Sequence, residues 1–399
     1  MKNPFPTRAP SFDTRAIRAT IQKAFASAGL NSRVGLMREV SDNIGRALGA
    51  GRQAATSSQL ESVGVIDLPA RVIPEGDARW APPDRDASIG ALPPSQPGSF
   101  TARQFSNATG TRSYKTYVPA ASPQGPHAVV VMLHGCTQSA DDFAAGTQMN
   151  RLADAHGFLV VYPEQAAQAN ASKCWNWFQP QDQRHGAGEP SLIAGIVDEV
   201  LQGHAADPRR VFVAGLSAGA AMAVVMGQTY PELFAGVGAH SGLPYGSAHD
   251  IASALAAMKG GRSGLPGLKL QPADAKAGRK RAVQAVPIIV FHGDRDHTVQ
   301  QTNGADIARQ ARQAHGAQFG EAALRESTQA GVAKGGRRYS RTVHADAQGR
   351  PQVESWTVHG AGHAWSGGHA SGSYTDPTGP DASAEMVRFF LALPQAGTA

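Results

Sequence analysis

Ser217 stands at the centre of Gly-Leu-Ser-Ala-Gly, residues 215–219. An apolar run ends at Gly215, and a small-residue run, AGAAMAVVM, begins at Ala218. A serine between two such glycines suits a sharp strand-to-helix corner. The residue at the apex takes a strained backbone conformation, and its neighbours two positions away must be small. The hydroxyl then stands clear of the sheet. The first amides of the helix, and the positive end of its dipole, face any oxyanion that forms there. Ala218 supplies the amide directly after the serine. The same residues also suit an inert corner, where small side chains only permit close packing.

A serine hydroxyl is a weak nucleophile unless a base takes its proton and a carboxylate orients the base. At a corner of this type the chain order is Ser, then Asp or Glu, then His. Two later segments supply it. VFHGDRDHTV carries Asp294 and Asp296 just past an apolar run. Asp296 is the preferred orienter because it lies deeper in the loop, with Val299 to anchor the next turn, and Asp294 is the alternative. His292 and His297 read as structural or rim residues. VHGAGHAWSGG carries His359 and His363. His363, in a glycine-rich loop able to reach the serine, is the preferred general base and acid, and His359 is the weaker candidate. An oxyanion site also needs an amide from the loop after an early strand. LHGCTQSADDF offers Cys136, with Thr137 as the alternative donor, while His134 reads as a packing residue.

These residues need elements to hold them. Apolar runs at 127–135, 157–164, 209–215, 286–293 and 353–360 read as buried strands. Between them ADDFAAGTQMNRLADAH, SLIAGIVDEVLQGH, AGAAMAVVMGQTY and TNGADIARQARQAHG read as helices. Strands of this kind alternating with helices imply a parallel sheet covered on both faces, with chemistry gathered beyond its carboxyl ends. The stretch 318–350 is expected to hold a hairpin leading into the fifth strand. Residues 1 to about 100 differ. Scattered helical periodicity over Asp13–Leu48 gives way to Pro, Ser and Gly, so a weakly ordered extension of one or two helices and a linker is expected before a catalytic domain at 101–399.

Composition narrows the functional classes. The chain has 399 residues, 41% of them hydrophobic, and a net charge of +6. No stretch approaches the roughly 20 apolar residues of a membrane span. No basic face interleaved with aromatics points to nucleic acid. The dense basic run Lys276–Arg281 reads as a solvated loop. HADAQG and DPTGPD lack metal-ligand spacing, and no metal or organic cofactor is implied. The two cysteines, Cys136 and Cys174, allow at most one bridge. The N-terminus does not read as a secretory signal.

Taken together, VMLHGCTQSADDF, VVYPEQ, CWNWF, GLSAGAAMA, HSGLPYG, FHGDRDHTV, GAGHAWSGG and DPTGPDAS resemble the polyhydroxybutyrate depolymerase-type esterases of the α/β-hydrolase superfamily, whose relatives include feruloyl and acetylxylan esterases. The resemblance covers roughly residues 110 to 393. It implies an α/β-hydrolase fold with a mostly parallel sheet and helices on both faces. By position it implies a triad of Ser217, Asp296 and His363, with oxyanion donors at Cys136 and Ala218. It also implies a Cys136–Cys174 disulfide, a buried reduced pair being the alternative. Trp175 and Trp177 in CWNWF either bind the apolar face of an ester or plug their loop. The expected substrate is a short-chain or oligomeric hydroxyalkanoate ester, since no C-terminal polymer-binding module is visible. Plant polysaccharide esters, acyl transfer to another acceptor, and a catalytically dead binding protein are the rival readings. The resemblance implies an extracellular or periplasmic compartment, whereas the unread signal favours the cytoplasm. Oligomeric state is left open.

Overall fold

The first strands alternate poorly in polarity, yet they open the sheet. β1 (Ser99–Asn107) and β2 (Gly110–Val118) form an antiparallel hairpin, and β2 pairs antiparallel with β4 (Leu159–Glu164). Inward of that lie β3 (His127–Leu133), β5 (Ala206–Leu216), β6 (Gly236–His240), β7 (Ile288–Gly293) and β10 (Pro351–Val358). From β4 to β10 every neighbour is parallel. An antiparallel pair, β9 (Arg338–Ala345) and β8 (Arg325–Val332), extends the far margin. The ten-stranded order is β1-β2-β4-β3-β5-β6-β7-β10-β9-β8. The computed structural model describes residues 98–120, 125–261 and 285–394. The expected N-terminal helices, the linker before Gly98 and the basic run Lys276–Arg281 lie outside the described residues.

The parallel strands alternate their side chains between two cores. Val129, Val131 and Leu133 of β3 face one cluster, while Val130 and Met132 face the other. The first cluster is closed by α3 (Gly188–Gly203), α4 (Ala218–Thr229) and α6 (Thr302–Phe319), and Ala254 and Ala257 of α5 (Ile251–Met258) join it. The second is closed by α1 (Ala140–Thr147), α2 (Met149–His156) and α7 (Ala382–Ala392), through Phe143, Met149, Leu152, Met386, Phe389 and Phe390. The sheet is thus covered on both faces, as the unbroken apolar runs require. Among the described residues no helix is long and apolar enough to cross a membrane.

The single helix expected over residues 140–156 is two. Gln148 takes φ 55° and ψ 25°, its amide closes on Ala144 O and its side chain on Ala145 O. A left-handed residue satisfies the last carbonyls of one helix and cannot continue it, so α2 leaves in a new direction.

Candidate active site

Four loops leave the carboxyl ends of parallel strands and meet at one edge: those after β3, β5, β7 and β10. They carry Cys136, Ser217, Asp296 and His363, in that order.

Ser217 lies between β5 and α4 with φ 57° and ψ −119°, a conformation L residues rarely adopt. Its amide donates to His240 O at 2.9 Å. The glycines on either side are a steric necessity. A Cβ on Gly219 would collide with the carbonyl oxygens of Leu133 and His134, and one on Gly215 with the Gly219 backbone. The elbow therefore packs directly against the end of β3, from which the Cys136 loop departs. No described side chain is hydrogen-bonded to the Ser217 hydroxyl.

Asp296 and His363 meet at 2.7 Å, Oδ2 to Nδ1. The other carboxylate oxygen accepts the amides of Thr298, at 2.9 Å, and Val299, at 2.8 Å. Burial pushes the Asp296 carboxyl up, but the His363 hydrogen bond and charge, the Val299 amide and His292 outweigh it, so its pKa is lowered. A carboxylate only accepts, so Nδ1 of His363 carries the proton and Nε2 keeps its lone pair. The Asp296 side chain is wholly buried and that of His363 is 14% exposed, so the ring alone faces out.

The alternative pair also exists. Asp294 Oδ2 meets His359 Nδ1 at 2.9 Å, and its Oδ1 accepts the Gly360 amide at 2.7 Å. Acid loop and base loop are thus joined twice. His359 Nε2 reaches Ser340 Oγ at 2.9 Å, but Ser340 lies inside β9, with no glycine corner and no helix behind it. His292 is buried with Nε2–H donating to Val299 O, and His297 is exposed.

Of the two amides in the early loop, Thr137 N is taken by Ser172 O at 2.7 Å. No described acceptor takes the Cys136 amide. Cys136 is bonded to Cys174, which ties the loop after β3 to the loop after β4. Trp175 and Trp177, read either as binding the apolar face of an ester or as plugging their loop, are both buried. Trp175 is fully buried, 5.7 Å from the His134 ring, and Trp177 packs edge-on against Phe178. Both belong to the core beneath α3, where a ligand has no access.

Beneath the same loop runs a polar network that sequence reading missed. Glu189 receives Arg112, Gln165 Nε2 and the Asn176 amide, while Gln165 also holds Cys174 O and its amide donates to His134. Asp182 caps the start of α3 through the Glu189 amide. Burial, then the Glu189 carboxylate, lifts Asp182 from 3.8 to about 7, against the Glu189 amide and Arg112. The folded state therefore holds this proton more tightly than the unfolded chain, and stability falls as pH rises through that window. Asp182→Asn keeps an acceptor for the amide and removes the titration. Its melting temperature is expected to fall less between pH 5 and pH 8 than that of the unaltered protein, as scanning calorimetry at the two pH values would read.

His240 was equally silent in the sequence. It ends β6, and its Nε2 accepts the Ser366 amide at 3.0 Å while its carbonyl holds Ser217. Burial drives its pKa down to about 3, with the neighbouring histidines adding to the effect. It is a neutral spacer between the serine corner and the base loop.

The mixed sheet, the covering helices and this strand-edge cluster define an α/β-hydrolase fold. The chain belongs to the esterase PHB depolymerase family, whose pattern matches residues 112–331, more than half of the chain. That stretch includes Cys136, Ser217 and Asp296 and stops before His363. Poly(3-hydroxyalkanoate) depolymerase C of Paucimonas lemoignei is 36% identical over 252 residues, covering 62% of this chain and 57% of that protein. Feruloyl esterase B of Neurospora crassa is 40% identical over 150 residues, 37% of this chain and 50% of that one. The chain spans about half the length of these curated relatives. The solved acetyl xylan esterase from Aspergillus awamori shares the fold, with a TM-score of 0.56 at 23% identity over 73% of this chain and 99% of its own.

Proposed function

We propose that the chain is a serine carboxylic ester hydrolase acting through an acyl-enzyme. The observation that carries this reading is the buried Asp296 holding His363 at the same strand edge as the strained Ser217 corner. Ser217 Oγ attacks the ester carbonyl as His363 Nε2 takes its proton. Asp296 keeps the ring oriented and stabilises the imidazolium. The Cys136 and Ala218 amides receive the tetrahedral oxyanion, and the loss of one such donor costs about 3 kcal/mol of barrier. His363 then protonates the departing alcohol, leaving the acyl group on Ser217. Water, deprotonated by His363, attacks that ester and releases the acid. The Ser217–His363 hydrogen bond forms with substrate in place, since such contacts are often loose in the resting enzyme.

The two Asp–His pairs give this reading a sharp test. Asp296→Asn is expected to lower kcat by about 10⁴-fold, because the amide favours the wrong tautomer of His363. Asp294→Asn is expected to cost far less. Equal losses in the two variants would mean that Asp296 is not the orienter.

The family and the Paucimonas lemoignei depolymerase favour short-chain or oligomeric hydroxyalkanoate esters as substrates. The similarity to a feruloyl esterase supports a second reading, an esterase of plant polysaccharide esters. A panel of hydroxybutyrate oligomers, methyl ferulate and acetylated xylan separates them, with the highest kcat/KM expected on the oligomers. Faster turnover of ferulate or xylan acetate would replace the first reading by the second. The Cys136–Cys174 disulfide favours an oxidising compartment over the cytoplasm.

A further inference from the structure

Among the described residues four large apolar side chains are exposed: Ile251, Phe319, Val332 and Tyr374. Ile251 starts α5, Phe319 ends α6, which runs away from the carboxyl edge, and Val332 ends the marginal strand β8. Tyr374 alone stands beside the candidate catalytic loops, and it is held there from both sides. Its carbonyl accepts the Trp365 amide at 2.7 Å, two residues beyond His363. Its phenol lies 3.2 Å from Thr137 Oγ1, next to the Cys136 amide. Thr137 gives its own hydroxyl proton to Cys136 O at 2.6 Å, so the phenol is the donor.

Both partners are backbone outliers, Tyr374 at φ 52° and Thr137 at φ 66°. A bulky residue in the left-handed region persists only where its surroundings impose it. Here they do. Ser373, just before, gives two hydrogen bonds to Asp142, from its amide and its hydroxyl, and its carbonyl accepts one from Gln138. The tyrosine is thus held in place with its hydroxyl engaged, and the residue is 48% exposed. A ring fixed with its hydroxyl occupied offers apolar surface rather than a polar tip. It bridges the oxyanion loop and the base loop at the rim, outside the buried pair.

We propose that Tyr374 is a specificity-determining residue, a platform for the part of the substrate beyond the scissile ester. This rests on the esterase reading above. The ligand chemistry it fits is a linear aliphatic polyester segment of two or more hydroxyacyl units, because a rim position touches the second unit rather than the first. The methyl and methylene groups of that unit lie against the ring.

The test uses the full chain with Tyr374→Ala and Tyr374→Phe. The selectivity of kcat/KM for a 3-hydroxybutyrate trimer over p-nitrophenyl acetate is expected to fall about tenfold in Tyr374→Ala. The fall should come through KM, and Tyr374→Phe should retain the selectivity. A loss shared equally by both esters would show a structural role through the oxyanion loop, and unchanged selectivity would show no contact. Either overturns the platform, as does a Phe variant as impaired as the Ala variant, since the hydroxyl tether would then be what matters. Calorimetric binding of the trimer to Ser217→Ala, with and without Tyr374→Ala, provides a second readout independent of turnover. Binding about tenfold weaker in the double variant supports the platform, and equal or undetectable binding in both overturns it. Retained hydrolysis in Ser217→Ala would sink the esterase reading separately.

Discussion

Ser217→Ala is expected to abolish hydrolysis of a short p-nitrophenyl ester, by about 10⁴- to 10⁶-fold in kcat. Without the hydroxyl no acyl-enzyme forms, and only oxyanion donors and binding remain. The fold should not register the change. Ser217 is partly exposed, no described side chain is bonded to its hydroxyl, and its amide keeps His240 O. Alanine tolerates the strained corner no worse than serine does. Thermal melting and a pre-steady-state burst assay test both halves. A variant that melts normally and still turns over at a comparable rate would remove Ser217 from the chemistry.

The second large effect concerns the disulfide. Cys136 and Cys174 are 38 residues apart, and closing a loop of that length restrains the unfolded chain by about 4 kcal/mol. Replacing both by serine is expected to lower the melting temperature by on the order of 10 °C, at about 2–4 °C per kcal/mol for a domain of this size. Turnover should fall as well, through kcat more than KM. No described acceptor takes the Cys136 amide, and the bridge ties its loop to the Cys174 loop beside the hydrogen bond from the Thr137 amide to Ser172 O. A double variant with unchanged kcat at low temperature would show that hydrogen bonds alone fix the donor.

Much of this was legible beforehand, for identifiable reasons. β3, β4, β7 and the second half of β5 are nearly unbroken apolar runs closed by a glycine or a polar loop, which is how fully covered parallel strands are written, while β10 mixes apolar and polar residues. The elbow was legible because few residues fit its sterics. β6 was not. It is five residues, Gly-Val-Gly-Ala-His, and its glycines leave room for Phe390 and Met386 of α7 instead of carrying apolar side chains of their own. His240, at its end, opens the HSGLPYG stretch, but no role could be read for it there, since it acts through its backbone and a neutral ring. β1 and β2 carry Arg103 and Lys115 among their apolar residues because much of the marginal hairpin is open to solvent, whereas Arg112 is buried against Glu189. The choice between two aspartates and two histidines could be ranked from loop depth. That both pairs form, side by side, needed the three-dimensional register of β7 on β10. CWNWF left two readings open, an ester contact or a loop plug, because composition does not tell a buried indole from an exposed one. The exposed aromatic at this edge, Tyr374, sat in a stretch of small and polar residues that drew no attention.

The register of β7 on β10 has a further consequence. These neighbours carry Asp296 and His363 in the loops that follow them, yet α6 and the whole β8–β9 hairpin are threaded between them in sequence, leaving from one loop and returning before the other. That excursion ends in β8, whose outer margin pairs with no described strand and whose side chains are almost all in solvent. That open margin is free to change, while the hairpin's tip is tied through Arg337 to Asp376, Thr378 and His359 O, and two carboxylate–imidazole contacts join the loops after β7 and β10. The fold has thereby separated the place where its outline can drift over evolution from the place where a fraction of an ångström matters.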